Sequence, residues 1–204
     1  MDIDPRPTDA LVVVDVQNDF CAGGALEVPG ADGVVAPVNA LMERFGLVVL
    51  TQDWHPAGHA SFASQHPETA PFGRVDFPYG PQTVWPDHCV IGSRGAAFHP
   101  DLATDRAQLV IRKGFRREID SYSAFFENDG RTATGLAGYL RERGARRVVL
   151  CGLATDFCVG WSGLDARRCG FEAVIVERAS AGIDAEGSMA AIREALDRAG
   201  ARLV

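Results

Sequence analysis

The chain has 204 residues, of which 47% are hydrophobic and 23% charged, and its formal net charge is -7. This length and composition are typical of a globular protein that buries one substantial core. The acidic balance argues against a nucleic acid or an anionic membrane surface as the main partner, because both attract basic patches. No apolar run approaches membrane-spanning length, and the first residues are acidic and broken by proline, unlike a secretory signal.

The cysteines do not form the pattern of a disulfide framework. Their number, five, is odd, their spacings are irregular, and no pair has the Cys-x-x-Cys spacing of a zinc ribbon. Reduced thiols favour a cytoplasmic location. The sequence is compatible with a homo-oligomer and leaves the oligomeric state open.

Apolar segments with the length of strands alternate along the chain with amphipathic segments that favour helices. The predicted strands cover residues 10–16, 47–51, 108–112, 147–152, 172–176 and 201–204, and the predicted helices cover 34–45, 132–143, 156–169 and 185–199. Most of these strands are nearly all apolar, which is typical of strands buried on both faces of a parallel sheet. The alternation predicts an α/β fold in three layers: a doubly wound, mostly parallel sheet of about six strands with helices on both faces.

One long stretch does not follow this alternation. Between about residues 52 and 106 the periodicity fails, and the sequence is rich in Pro, Gly, His and Trp. A loop region of this length within a compact domain is usually either functional or disordered, and its aromatic content favours function. We expect residues 1–204 to form a single domain in which this loop region binds a metal ion.

Polar side chains follow three of the predicted strands at their carboxyl ends. These are Asp15, Lys113 and, after a short turn, Cys158. Ligands of doubly wound sheets bind beyond these ends, where a carboxylate, an ammonium and a thiol would serve as base, charge partner and nucleophile. The start of a helix favours a thiolate at Cys158. Each residue also has an ordinary interpretation as a cap, a solvated side chain or a packed thiol, and we assign Cys151, inside its strand, to packing.

A second group of side chains follows the second strand. Asp53 and His55 are two residues apart, so an extended backbone places them on one face. His59 follows in a turn sequence able to bring it back to His55, and His88 comes from a later part of the loop region. One Asp and up to three His are ligands suited to zinc, iron or manganese. The other two histidines, His66 and His99, are interpreted as ordinary surface or hydrogen-bonded residues.

Five segments of the chain together carry a family resemblance. They are Val14-Asp-Val-Gln-Asn-Asp-Phe20, Asp53-Trp-His-Pro-Ala-Gly-His-Ala-Ser-Phe62, Trp85-Pro-Asp-His-Cys-Val90, Lys113-Gly114 with Asp120-Ser-Tyr-Ser-Ala-Phe125, and Gly152-Leu-Ala-Thr-Asp-Phe-Cys-Val159. In combination they resemble the nicotinamidases and pyrazinamidases of the isochorismatase-like cysteine hydrolases, from about residue 10 to the last helix. The cysteine turn and the first Asp alone indicate only the superfamily. The set of Asp and His residues narrows the resemblance to the nicotinamidases and pyrazinamidases, because most other members of the superfamily lack this metal site.

The resemblance implies a role for each matching residue. The implied catalytic triad is Asp15, Lys113 and Cys158, and the implied oxyanion hole is formed by the backbone N–H groups of Ala154 and Cys158. The implied ligands of one divalent metal ion, zinc first with iron or manganese as alternatives, are Asp53, His55, His59 and His88. The implied substrate pocket contains Phe20, Leu26, Trp85, Tyr122 and Phe157. The peptide bond between Leu153 and Ala154 is expected to be cis.

The activity implied by the resemblance is hydrolysis of a small-molecule amide. Nicotinamide, and with it pyrazinamide, would be converted to the acid and ammonia through a cysteine thioester, as a step of NAD salvage. The metal ion would position the pyridine ring. Two alternatives stay open: a cysteine amidohydrolase of the same superfamily acting on a different small amide, and a non-catalytic module that binds a metal ion or ligand.

Overall fold

The fold is built on a parallel sheet, seen in a computed structural model that describes residues 3–204. The described residues form strands β1 (Asp9–Val14), β2 (Val48–Asp53), β3 (Arg74–Phe77), β4 (Gly80–Thr83), β5 (Leu109–Lys113), β6 (Arg147–Leu153), β7 (Glu172–Ala181) and β8 (Arg202–Leu203). Six of them pair in the order β5-β2-β1-β6-β7-β8, and every neighbouring pair is parallel. The predicted doubly wound sheet is confirmed.

Helices cover both faces of the sheet. They are α1 (Val35–Met42), α2 (Leu136–Glu142), α3 (Gly160–Arg168) and α4 (Ser188–Arg198). Successive side chains of a strand point to opposite faces. Leu11 and Val13 of β1 therefore pack in the core beneath α1, whereas Val12 and Val14 pack in the core beneath the other three helices. The result is the expected three-layer arrangement with one hydrophobic core on each side of the sheet.

Several element boundaries differ from the predicted ones. The loop region contains a short antiparallel hairpin, β3 with β4, where no convincing regular element was predicted. β7 continues to Ala181, five residues beyond its apolar run, after a register shift against β6 between Leu150 and Gly152. α2 begins only at Leu136, because the preceding Thr134 hydroxyl donates to Ala124 O at 2.6 Å and holds that residue outside the helix.

The third helix begins later than predicted, at Gly160, after a single π-helical turn over Thr155–Val159. Gly160 is required by packing. A Cβ atom at this position would lie 2.3 Å from Ile192 Cγ1 of α4. The neighbouring Trp161 points outward and is 47% exposed. The unusual Gly-Trp pair therefore lets α3 approach α4 closely while the indole remains at the surface.

None of the helices within residues 3–204 combines the length and the apolar character needed to cross a bilayer.

Candidate active site

The carboxyl ends of four adjacent strands meet at one point of the sheet. Lys113 ends β5, Asp53 ends β2, Asp15 follows β1, and Cys158 lies in the turn after β6. Asp53 and Lys113 are directly paired across their strands. The chain reverses its direction of strand addition between β1 and β6, the position where doubly wound sheets bind ligands. The sheet thus brings together all three residues of the predicted triad and one predicted metal ligand.

Lys113, the only lysine in the chain, is the centre of this group. Its Nζ atom lies 2.8 Å from Asp15 Oδ2, 3.0 Å from Asp53 Oδ1, 2.9 Å from Ser121 O and 3.5 Å from Cys158 Sγ. The side chain is fully buried. Burial by itself lowers the pKa of Lys113, but the carboxylates of Asp15 and Asp53 outweigh it and raise that pKa well above its usual value. The ammonium stays charged and ties the group together.

Asp15 is oriented by the neighbouring strand. The Thr51 hydroxyl donates to Asp15 Oδ1 at 2.6 Å, and the Asp15 N–H donates back to Thr51 Oγ1 at 3.1 Å. Apart from its ion pair with Lys113, Asp15 Oδ2 accepts no hydrogen bond from an N–H or O–H group of residues 3–204. Burial raises the pKa of Asp15, while Lys113 opposes that rise. Asp15 therefore keeps a lone pair for a further proton and has a raised affinity for it.

Cys158 lies within the π-helical turn and is 8% exposed. Burial raises the pKa of its thiol well above the usual value; Lys113 lowers it, but the charges of Asp15 and Asp53 act in the same direction as burial. Burial, together with the two nearby carboxylates, thus opposes the thiolate that a helix start favours. A base near the sulfur would assist its reaction.

The turn before Cys158 has the backbone predicted for it. The peptide bond between Leu153 and Ala154 is cis, as expected. Ala154 O accepts hydrogen bonds from the N–H groups of Phe157 and Val159, both at 3.1 Å, which closes the turn. Ala154 and Cys158, the residues predicted to supply the oxyanion donors, both border the same cleft.

Three of the predicted metal ligands point at one another. Asp53 Oδ2 lies 3.0 Å from His55 Nε2 and 3.3 Å from His88 Nε2. The opposite nitrogen of each ring is held by a backbone carbonyl: His55 Nδ1 lies 2.9 Å from Gly114 O, and His88 Nδ1 lies 2.8 Å from Pro86 O. Such bonds fix a histidine so that its other nitrogen faces a metal ion. One carboxylate oxygen and two imidazole nitrogens are a suitable ligand set for a divalent transition metal.

His59, the fourth predicted ligand, lies beside these three residues. Its ring stacks near that of His55, with centroids 4.4 Å apart. Its Nδ1 atom lies 2.8 Å from Ser61 Oγ, and its Nε2 atom lies 2.9 Å from Arg116 O. Both ring nitrogens contact protein oxygens, and two overlapping groups of side chains could hold an ion: Asp53, His55 and His88, and His55, His59 and Asp120. The same bond ties the Arg116 loop to the histidine cluster.

A small cleft opens above Cys158. Every residue predicted for the substrate pocket lines it, namely Phe20, Leu26, Trp85, Tyr122 and Phe157. Trp85 and Phe157 meet edge to face, with centroids 4.9 Å apart at 89°. This is a favourable aromatic geometry, and it gives the cleft rigid, apolar walls that suit a flat ring.

The matching family model is the isochorismatase domain, which covers residues 9–203. The chain belongs to the isochorismatase family. Among curated relatives, the nicotinamidase of Acinetobacter baylyi is 53% identical over 180 residues, which are 88% of this chain and 84% of that protein. This family member matches the chain through both the sheet and the loop region.

Solved structures of the isochorismatase family agree with this match. The nicotinamidase/pyrazinamidase of Acinetobacter baumanii superposes with a TM-score of 0.96 at 50% identity, over 98% of this chain and 96% of that one. A pyrazinamidase of Pyrococcus horikoshii in complex with zinc superposes with a TM-score of 0.78 at 36% identity, over 97% and 99% of the two chains. The family resemblance and the fold predicted from the sequence motifs are confirmed.

Several residues of this isochorismatase-family site were not predicted, among them Thr51 and Ser121, which contact Asp15 and Lys113. Asp120 lines the cleft, and the buried Gln82 donates to Asp120 Oδ2 at 2.7 Å and contacts the Tyr122 hydroxyl at 2.9 Å. Ile183 also lines the cleft, and its N–H donates to Asp156 Oδ1 at 2.9 Å. Asp120 and Asp156 lie inside the motifs that carry the family resemblance, so the sequence offered a clue to them. Gln82 and Ile183 lie outside these motifs, and the sequence offered none.

Proposed function

We propose that the protein hydrolyses nicotinamide to nicotinate and ammonia through a cysteine thioester, as a step of NAD salvage, and accepts pyrazinamide as well. One observation carries this proposal: a buried ammonium holds a carboxylate and a thiol together, with Lys113 Nζ 2.8 Å from Asp15 and 3.5 Å from Cys158. This group lies below an aromatic cleft and beside a histidine set. The names of the similar proteins, nicotinamidase and pyrazinamidase, support the choice of amide.

The first half of the reaction forms the thioester. Asp15 accepts the proton of the Cys158 thiol at its free Oδ2 lone pair, and the sulfur attacks the carboxamide carbon. The negative charge that develops on the amide oxygen is held by the N–H groups of Ala154 and Cys158, and one such donor is worth about 3 kcal/mol in comparable sites. Asp15 then returns the proton to the leaving nitrogen, and ammonia departs.

The second half of the reaction uses the same groups. Asp15, again ionised, accepts a proton from a water molecule, which attacks the thioester carbonyl carbon. The carbon–sulfur bond breaks, the sulfur regains a proton, and the carboxylic acid is released. Lys113 stays charged throughout, so it neutralises Asp15 when that residue is ionised and stabilises the sulfur when the thiol proton leaves.

We propose Asp53, His55 and His88 as ligands of one divalent metal ion, and His59, which shares a second possible group with His55 and Asp120, stays a predicted ligand. Their donor atoms fit such an ion, because both imidazole Nε2 atoms face Asp53 Oδ2 while their Nδ1 atoms are held by carbonyls. Zinc is the first choice, given the zinc complex of the similar pyrazinamidase, with iron and manganese as alternatives. When bound, the ion supplies a Lewis acid that positions the pyridine nitrogen.

The cleft walls orient the ring of the amide. We propose that Phe20 and Trp85 sandwich the pyridine and that Leu26, Tyr122 and Phe157 complete the pocket. When the carboxamide is held near the sulfur, the attack becomes an effectively unimolecular step. This lowers the activation free energy without any change in the reacting groups. We also propose a cytoplasmic location, supported by five cysteines that are all free thiols in the structure.

The test is ammonia release from a panel of small amides, measured with and without a chelator. We expect turnover of nicotinamide and pyrazinamide, loss of turnover with the chelator, and recovery on adding zinc. Cys158→Ala is expected to abolish turnover while circular dichroism stays unchanged, and the half-buried Cys169→Ser is the matched control that keeps full activity. If nicotinamide were inert while another amide of the panel turned over, the proposed substrate would be wrong.

A further inference from the structure

A second group of metal-binding side chains lies outside the catalytic centre. It consists of Cys21, Asp32 and His99, and one ligand atom from each lies within 4.8 Å of the others. All three line a second cleft that shares no residue with the aromatic cleft. None of the three takes part in the chemistry proposed above. From the sequence, His99 was interpreted as an ordinary surface or hydrogen-bonded histidine. The fold places it near Cys21 and Asp32.

We propose that Cys21, Asp32 and His99 form a second metal site, which binds a thiophilic divalent ion of the zinc class with water as a further ligand. Sulfur, carboxylate oxygen and imidazole nitrogen are the three ligand types that zinc takes in proteins. A thiolate and a carboxylate together balance the charge of a divalent ion. The thiolate distinguishes this site from the Asp and His set, because soft ligands favour zinc and its relatives over magnesium, calcium or manganese.

The three donor atoms lie close together, and two of the three side chains are partly exposed. His99 Nε2 lies 3.4 Å from Asp32 Oδ1, and the other carboxylate oxygen, Oδ2, accepts a hydrogen bond from the Ala22 N–H at 3.0 Å. That bond orients the carboxylate, as a supporting partner of a ligand should. Cys21 is buried, whereas the side chains of His99 and Asp32 are 15% and 53% exposed. An ion therefore has an entry path and room for water.

Two features limit the affinity of this site. His99 Nδ1 lies 3.2 Å from the Asp101 N–H, and metal binding at Nε2 moves the ring proton to Nδ1, so this long hydrogen bond is lost. Arg94 also lines the cleft and adds a positive charge to it. We therefore expect this second site to fill after the Asp53, His55 and His88 set.

An ion at this position would tie the segment that carries the pocket wall to a distant part of the chain. Cys21 follows Phe20 directly, and the Phe20 carbonyl accepts a hydrogen bond from Val28 N–H at 2.9 Å. His99 is anchored on the other side, since its N–H donates to Val16 O at 3.0 Å. The bound ion would therefore fix the loop that supplies Phe20 and Leu26 to the cleft.

The test is titration of the metal-free protein with Co²⁺, followed by near-ultraviolet absorption and by equilibrium dialysis. Only a site with a thiolate ligand gives a sulfur-to-cobalt charge-transfer band. The titration uses Cys158→Ala, which removes the thiol beside Lys113. The Cys89 thiol, also near Asp53, stays in every protein compared, so the variants below separate its signal from that of Cys21. We expect two bound equivalents, with the band appearing at the second. Neither the absorption band nor the number of bound ions depends on enzyme activity. The second metal site is therefore tested independently of the proposed function.

Variants assign the band to its ligands. In the same background, Cys21→Ser and His99→Ala are expected to lose the band and one bound equivalent, whereas the controls Cys169→Ser and His66→Ala keep both. Asp32→Asn, a change at an exposed side chain, should lose the second equivalent with the fold intact, which covers the case that a variant of buried Cys21 fails to fold. A single bound equivalent in the parent protein, or a band that persists in both Asp32→Asn and His99→Ala, would overturn the proposal.

Discussion

The catalytic centre and the walls of the aromatic cleft are built in different ways. The centre takes its residues from four adjacent strand ends, and Asp15, Lys113 and Asp53 are almost fully buried there. The walls come from segments outside the large sheet, namely those that carry Phe20, Trp85 and Ile183. Strand register fixes the reacting groups to each other, whereas these segments decide which molecule reaches them. Changes in the centre should therefore affect stability and chemistry together, and changes in the walls should affect substrate binding.

The largest effect is expected for Lys113→Met, which tests whether the centre is held by its buried cation. The change leaves the carboxylates of Asp15 and Asp53 buried without their partner. We expect amide hydrolysis to be lost and the free energy of unfolding to fall by about 3–5 kcal/mol. Urea titration and ammonia release measure the two effects.

The control for Lys113→Met is the double variant with Asp15→Asn. It removes one of the two unpaired charges, so it should recover part of the stability and none of the activity. A single variant as stable as the parent protein would show that the buried ion pairs do not hold the centre together.

A change next to the metal ligands should have the next largest effect. Gly114 has a φ angle of +70°, and a Cβ atom there would lie 2.5 Å from His55 Cε1. Gly114→Ala should displace the imidazole and weaken zinc binding by about 10- to 100-fold, as measured by competition with a chromophoric chelator.

Gly144→Ala is the matched control, because Gly144 has a φ angle of +71° and no atom within 4 Å of an added Cβ. It carries the same backbone strain without the contact to His55. Equal zinc affinities in the two variants would contradict a role for the space beside the ring.

Gln82 connects the two regions, and its loss should have an intermediate effect. Its amide donates to Asp120 Oδ2 at 2.7 Å and contacts the Tyr122 hydroxyl at 2.9 Å, in a buried position. In Gln82→Leu the buried Asp120 oxygen loses this donor, so the free energy of unfolding should fall by about 1–3 kcal/mol. Thermal melts measure the change. Gln65→Leu, at an exposed position, is the control. Equal melting temperatures for the two variants would contradict a stabilising role of the Gln82 hydrogen bond to Asp120.

The smallest effect is expected in a cleft wall. Trp85→Leu removes the edge-to-face contact with Phe157. An aromatic contact of this kind is worth about 0.5–1.5 kcal/mol, so KM for nicotinamide should rise by roughly tenfold or less while kcat stays nearly constant. Steady-state kinetics separate the two constants. The exposed Trp161→Leu should change neither, and a fall in kcat for Trp85→Leu would place this wall in the chemistry and not in binding.

Residues of the centre were predictable because they stand at the ends of apolar strand segments. The apolar runs before Asp15, Lys113 and Cys158 identify strand ends, and the alternation with helices requires a parallel sheet. The matching motifs indicate the pocket residues. Gln82 and Ile183 were not predictable in this way: Gln82 lies in a hairpin rich in Pro and Gly, and Ile183 follows the part of β7 that continues beyond its apolar run.

The sequence by itself determined the order of strands and helices, the family resemblance and the set of reactive side chains, because hydrophobic periodicity and motif spacing are local properties of the chain. Only the tertiary structure decided which of those side chains meet. Strand order placed Lys113 between two carboxylates and the thiol, and burial with those carboxylates raises the pKa of the Cys158 thiol. The carbonyls of Gly114 and Arg116, both far along the chain, contact the rings of His55 and His59, and His55 and His88 face Asp53. These outcomes depend on distances between residues far apart in sequence, which no local pattern encodes.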